Sequence, residues 1–360
     1  MFYKMPVLVY EEENCVLNHS RDIAKYGKKA LIVSGKNSAK INGSYDDVTN
    51  ALENENVDYV LFDQVEENPS VETVMSATEI GKNEKVDFVI GIGGGSPLDA
   101  SKAIAMMIAN PEKDSSYIFD ANAETKSIPV VAIPTTCGTG SEVTGVAVLT
   151  VHEKATKVSM PHRVFPELAL IDKKYLKTAS KKIIISTSID ALGHLVESYI
   201  NTTATDFSRV FVDQGLKIWA KCKDVLAGEK EPTDEDYRNL MLSSMYGGMA
   251  IAHTGTTLPH SLSYSITYEK GLVHGLAIGY FIPGYIREAC YEDQKFILDR
   301  IGFANIDEFT LFYKNITNLD VLPDDVIEKV VNNVSNNAAK LKLCPYYVDK
   351  EVLMRIATWN

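Results

Sequence analysis

Long apolar runs are missing from these 360 residues, and no stretch approaches the roughly 20 apolar residues that a membrane-spanning helix needs. The opening residues, MFYKMPVLVYEEENC, lack a basic segment followed by an apolar core, so no export signal is expected. Positive charge is also in deficit, with 36 Lys and Arg against 48 Asp and Glu and a formal charge of −12. Sequence-independent binding to nucleic acid or to anionic membrane rests on clustered Lys and Arg, so neither is expected as a partner. Cysteine is sparse: Cys15, Cys137, Cys222, Cys290 and Cys344 are scattered, odd in number and without a CxxC pair. That usage suits a reducing compartment, and the expected location is the cytoplasm. Histidine is scarce too, seven in all, which makes the position of each informative. Internal repeats and low-complexity tracts are absent, and the length suits two domains.

What is present in the first half is alternation. KALIVSG (29–35), VDYVLFD (57–63), VDFVIGIGGG (86–95) and IPVVAIPTT (128–136) are short, rich in Val and Ile, and bounded by turn residues, as buried strands are. Amphipathic segments such as SYDDVTNALENEN and SVETVMSATEIGKNE separate them. Strand, helix, strand, helix predicts a parallel sheet covered on both faces, a Rossmann-like α/β domain over 1–177. Beyond that point the strands disappear. In DFSRVFVDQGLKIWAKCKDVLAG the residues Phe207, Val210, Phe211, Ile218, Trp219, Cys222 and Leu226 fall at helical spacing, and Gly228 stands as a C-cap. Thr233 and Asp236 open the next helix with capping-box spacing. The expected fold class is α/β plus all-α, with a helical domain over 178–360.

Two loops carry chemistry in the first half. In GIGGGSPLDASKA, Gly93 to Gly95 follow a strand and are read with positive φ; Ser96 and Pro97 are read as the N-cap and first residue of a helix. Backbone N–H groups and the dipole at such a helix start favour a pyrophosphate, although a tight strand-to-helix turn alone gives the same pattern. IPTTCGTGSEVT follows another strand and offers Thr135, Thr136, Thr139 and Ser141, hydroxyls suited to phosphate and ribose oxygens. Two such loops at the carboxyl edge of one sheet favour a dinucleotide.

The helical half offers a metal constellation. Asp190 and His194, in SIDALGHLVESY, are four apart and share one helix face. His260 and His274 follow in HSLSYSITYEKGLVHG. One carboxylate and three imidazoles suit Fe(II) or Zn(II), with room for a substrate oxygen. His253 precedes His260 by two helical turns and lines the same cleft if the helix is unbroken, which Gly255 opposes. His19, His152 and His162 read as structural or solvated.

Together, GGGSPLDASKA, IPTTCGTGSEVT, DALGHLVESY and HSLSYSITYEKGLVHG resemble, in order and spacing, the iron-containing (group III) alcohol dehydrogenases, close to 1,3-propanediol and butanol dehydrogenase-like members. The resemblance implies a dehydroquinate synthase-like fold. It also implies hydride transfer between NAD(P) and a metal-polarised alcohol or aldehyde oxygen, and a homodimer. Metal ligands would be Asp190, His194, His260 and His274. Cofactor contacts would come from Gly94, Gly95, Ser96, Thr135, Thr136 and Thr139, joined by Asn68, Asp99 and Lys157. Three departures stand out. Tyr264 replaces a histidine that many members carry four residues after the third ligand; it is expected to relay a proton, touch substrate or pack the pocket. Cys137 replaces a common alanine and, if exposed, would be oxidation-sensitive. Gly35 stands where NAD-preferring relatives place an aspartate, with Lys36, Ser38 and Lys40 nearby, which favours NADP over NAD. Rival readings are a glycerol dehydrogenase-like polyol oxidoreductase, a dehydroquinate synthase, and a non-catalytic nucleotide- and metal-binding protein.

Overall fold

A computed structural model describes residues 4–154 and 156–359, without the side chains of 154 and 268–270. The described chain forms two compact units. Among the described residues, one lies within 5–136 and 140–178, the other within 179–359 together with Lys4 and the short segment 137–139.

The first unit is built on six strands: β1 (Leu8–Glu11), β2 (Lys29–Ser34), β3 (Asp58–Phe62), β4 (Phe88–Gly93), β5 (Val130–Pro134) and β8 (Leu168–Ile171). They form a parallel sheet in the order β1-β8-β5-β4-β2-β3. Successive side chains of a strand point to opposite faces, and the two cores divide accordingly. Leu31, Val33 and Val89 enter one cluster, whereas Ala30, Ile32, Phe88, Ile90 and Ile92 enter the other. This explains why β2 and β4 read as continuous apolar runs: both of their faces are buried. A small antiparallel pair, β6 (Val148–Val151) with β7 (Thr156–Ser159), lies outside this sheet.

Four strands escape the sequence reading: β1, β6, β7 and β8. Each is only four residues long. Such short runs acquire strand character from their neighbours; β8 is fully buried between β1 and β5. Chain order reverses direction between β4 and β2, so the ends of those two strands flank the crevice where open α/β sheets take their ligands.

The second unit is helical among its described residues. Its central helix, Lys181–Tyr199, is capped by the Ser180 side chain, which accepts from Ile183 N. Two expectations fail here. The segment read as one helix through residue 226 breaks at Lys221 and Cys222 into Asp206–Ala220 and Lys223–Ala227. Phe207 and Val210 face outward, 48% and 64% exposed, because Val212, Leu216 and Trp219 supply the buried stripe instead. No helix among the described residues is long and apolar enough to cross a membrane.

Candidate active site

In the helical unit, Asp190 and His194 sit one turn apart on the Lys181–Tyr199 helix, 3% and 5% exposed. His260 opens the Leu258–Lys270 helix, and His274 opens His274–Arg287. Asp190, His260 and His274 each present a ligand atom, all within 4.8 Å of one another. His194 joins them from the side: its Nε2 is 3.8 Å from Asp190 Oδ1, and its ring stacks on His260 with centroids 4.7 Å apart. Asp190 Oδ1 and His260 Nε2 are buried 3.6 Å apart, beyond hydrogen-bond reach, and have no partner among the described residues. Buried polar atoms are seldom left so, and two of them facing each other fit a cation between a carboxylate and an imidazole.

Electrostatics favour that reading at Asp190 and His194, whereas at His260 a cation would have to displace a proton. Burial works against a charge on Asp190, yet the surrounding imidazoles, His194 foremost, hold its carboxyl well below the usual range. Burial pushes His194 down and keeps it neutral, the form that donates a lone pair. Its Nδ1 lies 3.2 Å from the Gly138 carbonyl, which accepts a hydrogen bond from the ring N–H there and leaves Nε2 facing Asp190. For His260 burial also disfavours charge, but Glu197 and Asp190 outweigh it and raise the pKa to about 9.

Glu197 was not anticipated. It lies within the same segment, VESY, two turns beyond Asp190, fully buried. Its Oε2 accepts from His260 Nδ1, and its Oε1 takes Thr257 N at 2.8 Å, His260 N at 3.2 Å and Thr257 Oγ1 at 3.2 Å. The signal was present in the sequence: a third acidic or imidazole side chain at helical spacing from the first two.

Tyr264 shares the His260 helix as expected, and its ring lies parallel to His274 at 6.1 Å between centroids. It is 39% exposed. His253 ends elsewhere. Its helix stops at Thr254 before Gly255 at φ +69°, and its Nε2 accepts from Lys4 N. Cys137 is fully buried with Sγ 3.1 Å from Thr187 Oγ1, and burial pushes its thiol up to about 12. The exposed, oxidisable thiol considered from sequence is therefore ruled out.

In the α/β unit, β4 runs into the helix Gly95–Ala109. Gly94, extended at φ −78° and ψ −162°, is the N-cap, not Ser96, and of the three glycines only Gly93 has positive φ, +149°. A Cβ on Gly93 would lie 2.6 Å from Pro97, and one on Gly94 would lie 3.0 Å from Thr136. Ser96 Oγ instead accepts from Asn68 N at 3.1 Å, and Asn68 Oδ1 accepts from Lys157 at 2.7 Å. Thr135 N reaches back to Gly93 O at 2.9 Å, tying the two loops together. Asp99 and Ser141 engage each other, the hydroxyl donating at 2.6 Å, above the buried Lys102, whose Nζ reaches Ser141 at 2.7 Å and Val146 O at 2.8 Å. Lys102 was missed as well. Gly35 follows β2 and Ser38 opens a one-turn helix, while Lys40 pairs with Asp63 at 2.7 Å. Thr139 belongs to the short segment that packs with the helical unit.

Fold and sites thus define a class: a protein with a dinucleotide-type parallel sheet and a helical unit carrying a buried carboxylate–imidazole cluster that could hold a metal ion. Residues 6–173 match the family model of iron-containing alcohol dehydrogenases, and residues 184–306 match that of the family's C-terminal region. The solved structure of an iron-containing alcohol dehydrogenase from Thermotoga maritima is 35% identical, covering 99% of this chain and 98% of that one with a TM-score of 0.90. The long-chain primary alcohol dehydrogenase AdhA of Thermoanaerobacter ethanolicus is 30% identical over 71% of this chain, a stretch spanning 65% of that relative's own length. An NADPH-dependent butanol dehydrogenase of Clostridium saccharobutylicum is 26% identical over 88% of this chain and 79% of its own. The chain belongs to the iron-containing alcohol dehydrogenase family.

Proposed function

We propose that this chain is a metal-dependent alcohol dehydrogenase and aldehyde reductase that prefers NADP(H) and acts on short-chain primary alcohols, diols or their aldehydes. The observation that carries the reading is the pair of buried, facing atoms Asp190 Oδ1 and His260 Nε2, which make no hydrogen bond among the described residues and are flanked by two further imidazoles. Asp190, His194, His260 and His274 would hold Fe(II), or Zn(II) in its place. When bound, such a cation supplies Lewis acidity at the substrate oxygen. The chain's own residues do the rest. Asp190 brings the anionic charge, the Gly138 carbonyl keeps the lone pair of His194 on Nε2, and the Tyr264 ring lies parallel to that of His274.

For the cofactor, the N–H groups of Gly95 and Ser96 at the helix start suit the pyrophosphate, and Thr135, Thr136, Thr139, Asn68 and Lys157 suit its phosphate and ribose oxygens. Asp99 and Ser141 fit best as braces, since each already holds the other. Absence of an acid at Gly35, with Lys36 and Ser38 beside it, supports NADP(H). Aldehyde reduction then becomes the working direction. Residues 1–177 would form the dinucleotide-binding domain and 178–360 the catalytic one, in a cytoplasmic homodimer.

The test is the loss of reduced-cofactor absorbance with anaerobically purified protein, butanal or 3-hydroxypropanal, and added Fe(II), Zn(II) or chelator. Metal-dependent oxidation of NADPH faster than of NADH is expected. Nucleotide binding without turnover of any aldehyde would move the reading to polyol oxidation or to a non-catalytic protein.

A further inference from the structure

We infer that Glu197 selects the ring tautomer of His260 and thereby makes its Nε2 available to a metal. This rests on the metal reading above and adds a positioning residue to it. His260 meets two carboxylates, one at each ring nitrogen: Glu197 Oε2 at Nδ1, and Asp190 Oδ1 across the 3.6 Å gap at Nε2. With the proton held at Nδ1, the Nε2 lone pair faces Asp190 and the other imidazoles.

Glu197 is itself fixed in orientation. Its Oε1 accepts from Thr257 N and His260 N, the N-cap and third residue of the Leu258–Lys270 helix, and from the Thr257 hydroxyl. Those backbone N–H groups begin a helix whose cap side chain makes no capping bond, so the carboxylate does the capping from another helix. One carboxylate therefore fixes both the start of the helix that carries His260 and the proton on its ring.

This geometry makes the isosteric amide informative. In Glu197→Gln the amide oxygen must take the Oε1 position, because the backbone N–H groups of Thr257 and His260 converge there and an NH2 group would oppose both. The NH2 is then left pointing at Nδ1, which must accept. The ring proton moves to Nε2, the atom that faces the metal position. His194 has no such vulnerability, since a backbone carbonyl only accepts.

The experiment is Zn(II) binding to the chelator-stripped, full-length chain by competition with a chromophoric chelator, paired with 15N NMR of the histidine rings. Glu197→Gln should retain its helical circular dichroism, bind Zn(II) about 10–100-fold more weakly, and show His260 protonated at Nε2. Parent-like affinity and an unshifted tautomer in Glu197→Gln would overturn the inference while leaving the metal site standing. If that variant does not fold, the zinc-loaded parent decides: a proton on His260 Nδ1 supports the inference, and zinc at Nδ1 overturns it. A parent that binds no Zn(II) and no Fe(II) would remove the metal reading itself.

Discussion

Glu142 lies in the second glycine-rich loop, 3% exposed, and burial pushes its carboxyl up to about 7 against its own backbone N–H and the Lys102 charge. The folded chain therefore keeps a proton there that the unfolded chain, with a carboxyl in the ordinary range, releases. Its contribution to stability is whole in acid, below the ordinary carboxylate range, and is lost as pH rises toward about 7. Glu142→Gln keeps the neutral shape, so its stability relative to the parent should grow across that window by about 3 kcal/mol. Denaturant titrations over the window check this, and a difference independent of pH counts against it. Gly35 invites a second substitution. Its backbone φ is not positive, and a Cβ there would meet only the Val65 carbonyl, at 3.4 Å, so aspartate fits. Gly35→Asp should lower the NADPH to NADH ratio of kcat/KM about tenfold, roughly 1.4 kcal/mol of repulsion toward a 2′-phosphate. An unchanged ratio would locate discrimination elsewhere.

At the scale of elements, the proposed metal site depends on how closely three helices approach. Gly275, immediately after His274, packs so tightly on the central helix that a Cβ would lie 1.9 Å from the Ser186 carbonyl oxygen. No flexible side chain can yield there, only backbone. Gly275→Ala should therefore push the start of that helix away, cost about 1–3 kcal/mol or more by overpacking, and weaken Zn(II) binding together with stability. Thermal melts with and without Zn(II) separate the two effects; a variant as stable and as metal-competent as the parent would show that the helices tolerate the shift. The Asp190–His194 pair was legible because both residues ride on one helix at a fixed spacing. Glu197, two turns further on, was equally visible but undistinguished, since a buried acid and an exposed one look alike until its four donors are in place. The limit of the His253 helix was legible in Gly255, whose positive φ ends it.

For the whole molecule, two ligands should leave two separate footprints. In hydrogen exchange, Zn(II) should protect residues 184–199 and 257–275, and NADPH residues 91–96 and 133–139. Zinc protection falling on the glycine loops would sink the assignment of the metal site. The sequence by itself determined the periodicities: strands at β2 to β5, of which β2, β4 and β5 are buried on both faces while the edge strand β3 is half-exposed, an all-helical second half, the glycine loops after β4 and β5, and the spacing of Asp190 with His194. These are local properties, set by side-chain alternation, turn chemistry and helical geometry. Tertiary structure alone decided the rest. It made strands of β1, β6, β7 and β8, and it put the N-cap on Gly94 because Ser96 is engaged by Asn68. It buried Cys137 against Thr187 and turned Phe207 and Val210 outward. It brought Glu197 onto the far nitrogen of His260, because burial and partnership arise only when segments distant in the chain are packed together.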